Sequence, residues 1–121
     1  MQGKAPRLKR IYDPAESVDG KRYLVDRLWP RGVSKQQASL DGWLKELAPS
    51  DELRQWFGHN PARWKEFKRR YRLELKAKTK KAKLLELAQE IDLDVVTLLY
   101  AAKDRERNNA VVLREELSRN Y

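Results

Sequence analysis

LDVVTLLYAA, Leu93 to Ala102, constrains the fold more than any other stretch of the chain. A strand with one wet face alternates apolar and polar residues. This run is β-branched and apolar at both alternating sets, so both of its faces need cover, the usual pattern of a parallel strand. Parallel neighbours need crossover connections, usually helices. The run therefore predicts α/β layering. With 121 residues, the chain has room for one modest core. The expected architecture is a small, mainly parallel sheet with helices packed on it. It forms a single compact α/β domain at 7–121, preceded by a flexible N-terminal arm at 1–6.

The other elements are placed by pattern and punctuation. Arg7 to Tyr12 reads as a short strand, and Asp13 and Pro14 start a turn. SVDGK follows as a turn, with Gly20 tolerating positive φ. Lys21 to Leu28 reads as a second strand: Tyr23, Val25 and Arg27 share one face and Leu24, Asp26 and Leu28 the other. Pro30 and Gly32 end it. Leu40, Trp43, Leu44 and Leu47 recur at helical spacing, and Pro49 ends that segment. Ser50 caps a helix bearing Leu53, Trp56 and Phe57, which stops at Gly58. Asn60 and Pro61 open a long amphipathic helix with Trp64, Phe67, Tyr71 and Leu75 on its apolar stripe. KAKTKKAK forms a joint to a further helix through Leu84, Leu87 and Ile91. After the apolar run, Asp104 is placed to cap a last helix through Leu117.

Composition excludes several chemistries. Without cysteine there is no disulfide, thiolate nucleophile or thiolate metal site. One histidine without cysteine argues against zinc. No metal and no cofactor are expected. No glycine-rich phosphate loop and no serine in a nucleophile elbow occurs. No eighteen apolar residues run together and the N-terminus lacks an apolar leader core, so a soluble, unsecreted protein with no membrane partner is expected. The sequence carries no signal for oligomeric state. The formal charge of +9 is concentrated: Pro61 to Lys83 holds eleven Lys or Arg against two Glu. Such a segment is either a solvated helix face or an attractor of phosphates.

Candidate chemistry gathers where two strands end. One ends in DRLWPRG and the other in YAAKD. If the strands are parallel neighbours, both clusters meet outside their carboxyl ends, where open α/β sheets bind ligands. Arg27 and Arg31 offer planar forks to a phosphate or carboxylate, and Trp29 a flat wall. Asp26 shares its strand face with leucines, so it needs a partner or an elevated pKa, and with the latter would serve as a general acid or base. His59, in a connector, is a second acid–base candidate. Tyr100, Lys103, Asp104 and Asn108 complete the ligand-binding set. Each has a plainer reading: ion pairing for Asp26 and Arg27, core filling for Trp29 and Tyr100, snorkelling for Lys103, capping for Asp104, and backbone bonding for His59.

LVDRLWPRGVSK, LKELAPS, LRQWFGHNPARWKEFKRRY and VTLLYAAKDRERNNAVVL occur in this order. Together they resemble the YeaO-like branch of the bacterial and archaeal "domain of unknown function 488" proteins, from about Tyr12 to Leu117. The resemblance implies a small, single-domain, cytoplasmic α/β protein without a settled activity. The family's motif positions fall on Asp26, Arg27, Trp29, Pro30, Arg31 and Gly32, and on Trp56, Phe57, Gly58 and His59. They also fall on Tyr100, Ala102, Lys103, Asp104 and Asn108. In relatives the last block commonly reads Lys-Asp, two residues, then His-Asn; here Arg107 takes the histidine's place.

Two functions follow as expectations. The first is a polar pocket at the strand ends that binds a small anionic ligand, with Asp26 or His59 moving protons if there is catalysis. The second is a nucleic-acid-binding module using the basic helix face at 63–83, through Lys65, Lys68, Arg69, Arg72 and Lys76.

Overall fold

The computed structural model describes residues 4–121, so the start of the expected 1–6 arm lies outside the described residues. Four strands form one sheet in the order β1-β4-β2-β3, with every pairing parallel. They are β1 (Arg7–Arg10), β2 (Lys21–Leu24), β3 (Gly42–Trp43) and β4 (Val96–Tyr100). All five residues of β4 are buried between β1 and β2. This is the place its two apolar faces demand.

Among the described residues the α-helices are α1 (Lys35–Ala38), α2 (Asp51–Phe57), α3 (Trp64–Leu75), α4 (Lys78–Leu93) and α5 (Asn109–Asn120). The larger core cluster joins Val96, Leu98 and Tyr100 of β4 to Phe57, Tyr71, Leu84, Leu87 and Leu113 of the long helices. The smaller cluster, on Leu24 and Leu99, is closed by Ile11 and Ala38 with Trp29 and Trp43 packed against it. Among the described residues no helix is long and apolar enough to cross a membrane.

Three expectations are corrected. Leu40 to Leu47 is not helical: Gly42–Trp43 pairs with Tyr23–Leu24, and a 3₁₀ turn covers Lys45–Leu47. The helical spacing misleads because these side chains serve two cores. Leu40 and Trp43 pack in the smaller cluster, Leu44 and Leu47 in the larger. β2 stops at Leu24, short of Leu28, where side chains take over its ladder (below). Asp104 does not cap the last helix. Its Oδ1 accepts from the backbone N–H groups of Glu106 and Arg107, and Asn108 caps α5 by accepting from Val111 N at 3.1 Å. The Asn60 side chain caps a 3₁₀ turn at Pro61–Arg63 that leads into α3. Ser50 caps α2 as its position predicts, and Gly58 ends that helix in the left-handed region at φ 50°.

Candidate functional site

The end of β2 shows how the site is built. Val25 N still donates to Leu99 O at 3.0 Å. In a parallel ladder the next rung would run from Ala101 N to Val25 O. Side chains replace it. Ala101 N donates to Asp26 Oδ2 at 2.9 Å, and Asn109 Nδ2 donates to Val25 O at 2.8 Å and to Asp26 Oδ1 at 3.0 Å. Asp26 and Asn109 thus join the ends of β2 and β4 to the first residue of α5. Burial pushes the Asp26 carboxyl above its ordinary pKa, opposed by the Asn109 amide, the Ala101 N–H and the nearby His59 and Arg54.

A cleft of about 800 Å³ opens above this junction. Asp26, Arg27, Trp29, Arg31, His59, Lys103, Asp104 and Asn108 all border it, so parallel pairing brings both strand-end clusters together. Tyr100 does not join them; it is 2% exposed and belongs to the larger core, because residue 100 is still inside the strand.

The residues at the cleft differ in how far they are committed. Arg27 donates through Nε to Pro49 O at 2.8 Å. Trp29 donates to Val33 O and meets Trp43 edge-on at 5.5 Å, so it braces its loop as well as forming a wall. Arg31 is exposed; its carbonyl accepts from the Tyr12 hydroxyl, and its guanidinium has no partner among the described residues. Gly32 next to it holds φ 74°, which a side chain would strain. His59 is exposed at the mouth with φ 57°. Lys103 is exposed too. Asp104 is held below the usual carboxylate range by the Glu106 and Arg107 N–H groups and by Arg107. Asn108 spends both ends of its amide locally, on Val111 N and Asp104 O.

Sequence reasoning did not nominate Arg54, Gln55 or Asn109. Arg54 sits on α2 above the cleft; Nη2 lies 3.5 Å from Asp51, while Nε is enclosed without a hydrogen-bond partner. Its place one turn before Gly58 was the available signal. For Asn109 the signal was the doubled asparagine, of which one caps the helix and the other faces Asp26. Among the described residues no three His, Asp or Glu side chains are grouped to hold a metal ion.

The basic face of α3 is only partly neutralised, because four of its cations share two carboxylates and Arg70 joins Arg69 on Glu66. Lys68 and Arg72 share Glu115, at 3.3 and 2.5 Å, and Arg69 meets Glu66 at 2.7 Å. Lys65 is exposed, and Lys76 lines a separate groove of about 490 Å³ between the ends of α3, α4 and α5.

Comparison with known proteins finds similarity over nearly the whole chain. The family model described as "Inactive DUF488-N3 subclade" matches residues 6–121. The uncharacterized protein YeaO of Escherichia coli (strain K12) is 46% identical over 110 residues, covering 90% of this chain and 93% of that protein. An uncharacterized protein of Mycobacterium tuberculosis (strain ATCC 25618 / H37Rv) is 40% identical over 112 residues, covering 93% and 92%. No solved structure matches the chain.

Proposed function

The chain belongs to the DUF488 family, in its YeaO-like branch, and from that premise we propose that the cleft is a non-catalytic binding site of a cytoplasmic protein for a small phosphate- or carboxylate-bearing ligand. One observation carries the reading: the partly exposed Arg54 and the exposed Arg31 both border the cleft, and the Arg31 guanidinium has no partner among the described residues. A planar guanidinium left without a carboxylate suits a phosphate or carboxylate of the ligand. Arg27 and Lys103 raise the local positive potential.

Asp26 is committed to structure rather than to turnover. Both of its oxygens accept structural hydrogen bonds, so it serves as a strut between β2, β4 and α5. The description of the matched subclade as inactive supports the same view.

Titration calorimetry with inorganic phosphate, citrate and ribose 5-phosphate tests the proposal. We expect saturable binding that weakens by about tenfold in Arg54→Gln and in Arg31→Gln, equal to roughly 1.4 kcal/mol each. Melting temperatures of the free variants should stay close to wild type. No binding by any of the three anions, or full affinity in both variants, would overturn it.

A further inference from the structure

We infer that the ligand is a nucleoside phosphate whose base presents N–H donors. This rests on the anion site proposed above, and three features of the cleft carry it further. The first is size. About 800 Å³ lies within the span typical of sites for whole organic ligands, roughly 300–1,000 Å³. A lone phosphate would leave most of it empty.

The second is apolar surface. Leu28 is 53% exposed and Tyr12 is 45% exposed, and both border the cleft with Trp29, Pro30 and Phe57. Large apolar side chains left wet beside a cavity mark a surface that a ligand covers. The ring of exposed Tyr12 and the partly exposed Trp29 suit a planar ring, since stacking on an aromatic side chain accepts any base.

The third is Asp26 itself. A ligand that was only an anion would meet a carboxylate on the cleft wall among the cations. Each carboxylate oxygen has two acceptor positions, and the Ala101 and Asn109 donors occupy one on each. The remaining positions can accept N–H donors from a ligand. Phosphate toward Arg31 and Arg54, a ring against the apolar wall and N–H groups toward Asp26 together describe a nucleotide. Guanine, with adjacent ring and amino N–H groups, is the base that matches a carboxylate best.

Calorimetry with GMP, ribose 5-phosphate and inorganic phosphate tests this on the wild-type protein. GMP should bind at least about tenfold tighter than ribose 5-phosphate, a gain within the range of base stacking. Leu28→Ser, at an exposed position that the fold tolerates, should shrink that ratio by roughly threefold. If ribose 5-phosphate binds as tightly as GMP, the nucleotide inference falls and the anion site stands. If none of the three binds, both fall.

Discussion

Asp26 and Asn109 do the work of one missing rung in the sheet. Asp26 was legible in the sequence as a carboxylate on an apolar strand face that needed a partner. The partner was not, because Asn109 lies 83 positions away and meets it only through the fold. The physics of the pair makes a prediction. Burial raises the Asp26 pKa over its ordinary value of 3.8. A folded-state pKa above the unfolded one adds stability that is full below the unfolded pKa and lost as pH rises through the folded pKa. Asp26→Asn removes that titration. The difference in unfolding free energy, wild type minus variant, should therefore fall as pH rises through the acid range from about pH 3. Urea unfolding across that range measures it, and a difference that rises instead would contradict the assignment.

At the scale of elements, local signals hold where one element faces one core: the stripe of Phe67, Tyr71 and Leu75 is buried on α3, while Asp104 yields the cap of α5 to Asn108. Ser50 and Gly58 bound α2 as their chemistry requires. The spacing of Leu40, Trp43, Leu44 and Leu47 pointed to a helix, although these residues wrap around the end of a sheet and divide between two cores. A period is a local property, and the division is a tertiary one. Gly20 shows the same coupling. It stands at φ 64°, and a Cβ there would lie 2.2 Å from the carbonyl oxygen of Val95, the residue just before β4. Gly20→Ala should cost well over about 1 kcal/mol, seen as a lower denaturant midpoint. Asn108→Ala removes the cap of α5 and should cost about 1–2 kcal/mol by the same measurement.

For the whole molecule, the cleft at one end of the sheet is matched by a buried ionic knot at the other. Asp19, 1% exposed, accepts from Lys9 at 3.1 Å and from Arg22 at 2.6 Å, while its carbonyl accepts from Thr97 at 2.7 Å. One residue thereby touches β1, β2 and β4. Burial works against its charge, but the Glu16 N–H, Lys9 and Arg22 hold the carboxyl below its ordinary pKa. Its titration runs opposite to that of Asp26: the stability is present above the unfolded pKa and lost as pH falls through the folded one. Asp19→Ala leaves Arg22 buried without its anion and should cost about 3–5 kcal/mol, measured by denaturant unfolding.

By itself the sequence determined that this chain layers helices on a parallel sheet, since a strand apolar on both faces has no stable alternative to double cover. It also marked the two polar segments that meet at the cleft. Only the tertiary structure decided that they meet, because strand order depends on long-range pairing that no local pattern records. It likewise decided which cations stay available. Glu115 and Glu66 pair with four cations of α3, while among the described residues Arg31 has no partner at the cleft and Arg54 meets only Asp51. A charge in a sequence has a sign, and only its neighbours in space determine whether that charge is already spent.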